Sequence, residues 1–204
     1  MKSLSVFYKG MLFAVITAAL YREIYFSGTI IKGAFLYFTI QSNILAALCL
    51  LVLVFVPLSE RSKCIIRGVS LLAITLTGLV YNFVLYNIFN AWGTAAYTFS
   101  RTITHVIAPV GFIIDWIIFD KHNLMKWKDV FIWLLYPAVY YFLLLYASFR
   151  FHFSIYFFIN YSSGYRAILI WLCIFSGALT MISFAYIGFD KLIGRIIERQ
   201  QNNN

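Results

Sequence analysis

Residues 35–57 read FLYFTIQSNILAALCLLVLVFVP, an uncharged stretch that closes on Pro57. A helix needs about 20 predominantly apolar residues to cross the hydrocarbon core of a bilayer, at a rise of 1.5 Å per residue. The stretch meets that length. Near its start stand four hydrogen-bonding side chains, Thr39, Gln41, Ser42 and Asn43. Helical positions three and four apart are neighbours, so Thr39, Ser42 and Asn43 share one face and Gln41 points elsewhere. Polar groups at membrane depth are costly unless partnered, so the cluster marks a candidate site.

Five further apolar runs flank this one, and the set falls at roughly 6–26, 35–57, 66–88, 102–119, 130–149 and 167–189. The chain is 63% hydrophobic and 11% charged, whereas a soluble domain carries about 25% charged residues. Lipid must therefore solvate most of it. A membrane barrel would show short alternating segments instead of long apolar runs. The expected fold is all-α, a polytopic integral membrane bundle of six transmembrane helices. No internal repeat or long polar insert divides the chain, so residues 1–204 read as one transmembrane domain. The first run ends at Tyr21-Arg22-Glu23 without a small-residue cleavage site, and reads as a retained span rather than a signal peptide.

The loops set the orientation. One side holds Lys2, Lys9, Arg61, Lys63, Arg67, Lys121, Lys126, Lys128, Lys191, Arg195 and Arg199; the other holds Arg22, Lys32, Arg101, Arg150 and Arg166. The positive-inside rule puts the larger set, and with it both termini, in the cytoplasm. That parity requires an even number of spans, in agreement with six. A multi-pass protein of the plasma (cytoplasmic) membrane follows. The net charge of +9 belongs with anionic phospholipid headgroups. No nucleic-acid-reading motif is present, so membrane lipids are the expected partners. The three cysteines, Cys49, Cys64 and Cys173, lack paired spacing. Cys49 and Cys173 fall in apolar runs and read as small buried hydrophobes. No metal site or cofactor is implied.

In the third run, Thr75, Gly78, Asn82 and Tyr86 form one helical stripe, with Asn87 close by. Asn90-Ala91-Trp92-Gly93 is a turn signal that places Trp92 at the interface. The fourth run aligns Arg101, His105 and Pro109 at intervals of four, then Phe112 and Trp116. Proline there removes a backbone hydrogen bond, which can kink the helix or free a carbonyl. Asp115 and Asp120 mark the inner end, and Pro137 interrupts the fifth run. Residues 150–158 alternate polar and apolar before running into aromatics, which suggests an extended or interfacial segment over the outer end. Ser176, Gly177, Thr180 and Ser183 make a small-residue stripe suited to close helix packing. His122 and His152 fall at interfaces and read as solvated. The Asn-rich tail 202–204 reads as disordered.

With this topology Thr39, Asn82 and His105 lie at similar depth in the outer leaflet, Thr39 about one turn below the surface. If consecutive helices are neighbours, one pocket holds all three. Thr39 and His105 would then form a nucleophile and general-base pair. A hydroxyl is a weak nucleophile until a base takes its proton, and histidine, with an unperturbed pKa near 6.5, is the usual base at neutral pH. Asn43, Asn82 or Gln41 would donate to a developing oxyanion, where one good donor contributes roughly 3 kcal/mol. Ser42, Tyr86 and Arg101 complete the candidate substrate-binding set. No acidic third member lies at that depth. The same residues also fit plain interhelical hydrogen bonding, at about 0.6 kcal/mol each. His105 also fits a packed structural histidine, and Arg101 a headgroup anchor.

Two local patterns carry a resemblance. One is Phe35-Leu36-Tyr37-Phe38-Thr39-Ile40-Gln41-Ser42-Asn43; the other is His105-Val106-Ile107-Ala108-Pro109 followed by Asp115-Trp116-Ile117-Ile118-Phe119. With its length and span count, the chain resembles a bacterial relative of the androgen-induced protein family, six-span membrane proteins that include intramembrane threonine hydrolases. The segment Tyr156-Phe157-Phe158-Ile159-Asn160 lacks the proline that the family carries in the matching outer segment. The resemblance implies hydrolysis of lipid esters of the fatty-acyl class, with Thr39 as nucleophile and His105 as the base that later protonates the leaving alcohol. It also implies a lipid-like substrate entering sideways from the outer leaflet. Two rival classes use the same features differently. A non-enzymatic binder or transporter of an amphiphile would use the polar pocket for recognition. A membrane-complex assembly partner would use the stripe on the sixth span.

Overall fold

The computed structural model describes residues 2–26, 29–31, 33–86 and 98–202. Gly28, Lys32, Asn87, the turn at 90–93 and the last two asparagines lie outside the described residues. Within them the regular structure is helical apart from one short antiparallel pair, Tyr25–Phe26 with Thr29–Ile30. Six helices are long and apolar enough to cross a membrane: α1 (Lys2–Ile24), α2 (Phe38–Phe55), α3 (Glu60–Leu85), α4 (Phe99–Phe119), α5 (Asp129–Phe151) and α6 (Gly164–Asn202). This is a multi-pass membrane architecture.

Local chemistry sets the helix ends. Gly33, at φ 81°, turns the chain into a short 3-10 turn at Ala34–Leu36 ahead of α2. Val56 is extended after α2, as the residue before a proline favours. Ser59 caps α3 by accepting from Ser62 N–H at 3.1 Å, and Thr98 caps α4 by accepting from Arg101 N–H at 3.4 Å. His152, left-handed at φ 52°, ends α5. α6 runs well past the expected end at 189. Apolar content marks how much of a helix faces lipid, not where its hydrogen bonding stops, and 190–202 contains no proline.

The chain forms two compact units, Met1–Lys121 and His122–Asn204. In the first, α1 packs on α2 and α4, α2 on α3, and α3 on α4. Ile16, Leu50, Leu71, Leu72, Ile74 and Phe112 are its buried centre. Cys49 and Cys64 are buried here. This unit also holds a charged network. Lys9 Nζ donates to Asp115 at 2.9 Å and to the Ser5 hydroxyl at 2.9 Å. Arg67 donates from Nη2 to Asp115 at 2.5 Å and Asp120 at 2.9 Å, and from Nε to Asp120 at 2.7 Å. The Arg67 guanidinium also lies 4.6 Å from the centre of the Phe112 ring. Lys9 and Arg67 are therefore buried, not headgroup-facing anchors as their place among the basic residues suggested. Each has a buried carboxylate that offsets its lost hydration.

In the second unit α5 packs on α6. The Asp190 carboxylate accepts the backbone N–H groups of Leu124 at 3.0 Å and Met125 at 2.9 Å, and lies 3.1 Å from His122 Nδ1. The His122 side chain is buried in this anchor, which corrects its reading as solvated; His152 is exposed. Residues 150–158 are not an extended segment. Arg150 and Phe151 finish α5, and the chain then turns so that Phe158 and Ile159 pack with Tyr141, Leu144, Trp171 and Phe175. Burial of these aromatics outweighs the short alternation. On α6, Thr180 donates to Ser176 O and Ser183 to Leu179 O, both within the helix. Gly177 faces open space, so within this unit the expected stripe does not form a close helix contact there. Cys173 is exposed, not buried.

Candidate active site

Thr39 is the second residue of α2, and His105 lies in the middle of α4's first half. The Thr39 hydroxyl is 3.1 Å from His105 Nε2. The ring's other nitrogen, Nδ1, is 3.0 Å from the Arg101 carbonyl and 3.0 Å from the Thr104 hydroxyl. A carbonyl can only accept, so in the neutral ring this pattern assigns the proton to Nδ1. Nε2 then presents a lone pair, and the Thr39 O–H donates to it. Histidine is 7% exposed here, and Thr39 is half-buried. The Tyr81 ring lies against the imidazole with centroids 3.8 Å apart.

The backbone around His105 is unusual on both sides of the helix contact. α4 carries a π-helical stretch at Ile103–Ile107, and α3 carries one at Val80–Leu85. Such widened turns concentrate at functional positions. Pro109 supplies the local cause in α4. It has no N–H, so the carbonyl four residues earlier, that of His105, loses its usual helical donor. Asn82 Nδ2 donates to that carbonyl at 3.1 Å and to Gly78 O at 2.7 Å. Gly78 allows this approach: a Cβ there would stand 3.2 Å from two Pro109 ring carbons and 3.3 Å from His105 O.

The structure thus brings together Thr39, Asn82 and His105. It uses the other candidates differently from the sequence expectation. Asn43 spends both amide N–H groups on the carbonyls of Thr39, at 2.9 Å, and Thr104, at 3.1 Å. Asn82 spends its pair on Gly78 and His105, and Gln41 Nε2 donates to Phe35 O at 2.8 Å. Asn43 and Asn82 therefore have no amide hydrogen left for an oxyanion, which corrects that role; backbone carbonyls near a helix start and a proline claim them first. Ser42 faces α3, its hydroxyl 2.6 Å from that of Thr77 and 3.1 Å from Thr39 O. Arg101 contributes its backbone carbonyl to His105. Tyr86 follows directly after α3, four residues beyond Asn82.

Three residues escaped the sequence reading: Thr104, Thr77 and Tyr81. Tyr81 follows three residues after Gly78, on the side of α3 that meets α4, and that spacing is the one signal that points to it. Among the described residues no three His, Cys, Asp or Glu side chains gather into a metal-binding group.

No family model, curated protein or solved structure matches the chain.

Proposed function

We propose that this protein is an intramembrane hydrolase of lipid esters of the fatty-acyl class, with Thr39 as nucleophile and His105 as general base. The observation that carries the reading is the 3.1 Å approach of the Thr39 hydroxyl to His105 Nε2, the nitrogen left unprotonated by the bond at Nδ1. In the first half-reaction Thr39 Oγ1 attacks the ester carbonyl carbon and its proton passes to Nε2. The tetrahedral species collapses, the C–O bond to the alcohol breaks, and the imidazolium protonates the departing alkoxide. Water then attacks the acyl-Thr39 ester, returns the proton through His105, and releases the fatty acid. The Arg101 carbonyl orients the ring in the role a carboxylate takes in a triad. A positioned base of this kind contributes about 10²–10⁴ in rate.

The same proposal takes both termini as cytoplasmic and the membrane as the plasma membrane, on the excess of Lys and Arg between alternate spans. Thr39, at the start of α2, then lies in the outer leaflet, where an acyl ester arrives laterally. It also relates the chain to the androgen-induced protein family, through the Phe35–Asn43 and His105–Phe119 patterns.

The test is covalent labelling of the purified protein in liposomes with a fluorophosphonate. The expected result is an adduct mapped to Thr39 and lost in both Thr39→Ala and His105→Ala. Labelling that persists in Thr39→Ala moves the nucleophile elsewhere. Absence of labelling, with saturable uptake of an amphiphile into the liposomes, supports a transporter in its place.

A further inference from the structure

We infer that Asn43 positions the water that hydrolyses the acyl-Thr39 intermediate, through its side-chain carbonyl oxygen; this rests on the hydrolase reading above. Asn43 is fully buried. Its orientation is fixed, because Nδ2 faces two backbone carbonyls that can only accept. That leaves Oδ1 buried with no donor among the described residues. An unmet buried acceptor costs about 1–3 kcal/mol, and native structures usually satisfy such groups, often with ordered water. The place of this acceptor is specific. Nδ2 bridges the carbonyl of the nucleophile itself and that of Thr104, the residue before the base. Oδ1 shares a carbon with Nδ2, so it lies one amide width from the atom that bonds the Thr39 and Thr104 carbonyls.

The second half-reaction needs what this arrangement offers. In the free protein, His105 Nε2 accepts from Thr39. Once Thr39 carries an acyl group it has no hydroxyl proton, and the Nε2 lone pair is released. A water that donates one hydrogen to Asn43 Oδ1 then donates the other to Nε2, and its oxygen faces the acyl carbon. The water oxygen bonds to that carbon as its proton passes to Nε2. The bond between the acyl carbon and Thr39 Oγ1 breaks, Oγ1 takes the proton from the imidazolium, and the carboxylic acid leaves with the water's other hydrogen. Acylation does not involve Oδ1, because in that step Thr39 itself occupies Nε2.

The two half-reactions can be separated. Phosphonylation by the fluorophosphonate reports the first alone, and turnover of p-nitrophenyl octanoate reports both. In Asn43→Ala, phosphonylation should slow no more than a few-fold, while octanoate turnover becomes a burst followed by a steady state about 100-fold slower, with octanoyl-Thr39 accumulating. Hydroxylamine, a stronger nucleophile than water, should restore turnover. Asn43→Asp retains an acceptor oxygen and should release the acyl group faster than Asn43→Ala, although it loses the amide's two anchors. Equal losses in both half-reactions, or a loss of turnover that hydroxylamine leaves unchanged, would assign Asn43 a purely structural role and overturn the inference. A wild-type protein that neither labels nor turns over ester overturns the hydrolase reading itself, and the inference with it.

Discussion

Replacing Asp115 by Asn tests how α4, the helix that carries His105, is held. The Asp115 carboxylate is fully buried and has two cationic partners, Lys9 Nζ at 2.9 Å and Arg67 Nη2 at 2.5 Å. The partners are not equally exposed to its loss. Arg67 keeps Asp120, through Nε at 2.7 Å and Nη2 at 2.9 Å. Lys9 keeps the Ser5 hydroxyl and the face of the Phe119 ring, 5.1 Å from its centre, but no other carboxylate among the described residues. An amide at 115 therefore leaves one buried ammonium without a counter-ion. Breaking a buried pair from one side costs roughly 3–5 kcal/mol; with Arg67 still neutralised, the loss belongs at the lower end, about 3 kcal/mol. The assay is unfolding in mixed detergent–SDS micelles, followed by far-UV circular dichroism and by the fluorescence of the buried Trp116. Adding Lys9→Met in the Asp115→Asn background removes the stranded charge. The double variant should then be more stable than Asp115→Asn alone, a non-additivity of about 1–3 kcal/mol. A loss below about 1 kcal/mol in Asp115→Asn, or a Lys9→Met step that adds its own full loss, would refute this account of the network.

Asn82→Leu strips the donor from His105 O and should cost about 1–3 kcal/mol in the same unfolding assay; an unchanged midpoint means another donor replaces it. Gly78→Val forces a side chain against Pro109 and His105 O, and should lower stability by about 1–3 kcal/mol. A 1 Å displacement of His105 from Thr39 would reduce ester turnover about 100-fold, so normal turnover in Gly78→Val would contradict the contact. Asp190→Ala removes the acceptor of the Leu124 and Met125 N–H groups, each such bond contributing roughly 1.5–3 kcal/mol. Trypsin should cleave after Lys126 and Lys128 at least about ten-fold faster in that variant, and an unchanged rate would show that the loop is held by other contacts.

The six spans were legible because hydrophobic length is a one-dimensional property and the bilayer reads it directly. The meeting of Thr39, Asn82 and His105 was legible for a similar reason: topology converts position along each span into depth. What depth cannot convey is azimuth, the direction each side chain points around its helix. Lys9 and Arg67 counted as basic residues of the inner side because charge is summed without regard to partners, while their pairing with Asp115 and Asp120 depends on three helices meeting. His122 misled in the same way, since its partner Asp190 is 68 positions away. The amide donors were misassigned because competition from backbone carbonyls is invisible in a pattern of residue types. Tyr81 was hidden for a further reason. The π-helical stretches at 80–85 and 103–107 shift the register, so a stripe drawn at a fixed interval drifts off the face that makes the contact.

The register shift also explains why proline and asparagine belong to one device. Pro109 cannot donate to His105 O, and a regular helix would leave that carbonyl unmet in an apolar medium, where an unpaired group costs several kcal/mol. α4 widens at Ile103–Ile107 and turns the carbonyl to α3, where Asn82 meets it. Gly78, one turn before Asn82, gives Pro109 the room to approach. The histidine backbone is thereby tied to α3, while its ring is tied to its own helix through the Arg101 carbonyl. The remaining degree of freedom is the aim of Nε2, and it is directed at α2, onto Thr39. A helix that merely packed would need none of these departures. Each is unfavourable alone, and together they fix one imidazole nitrogen against one hydroxyl.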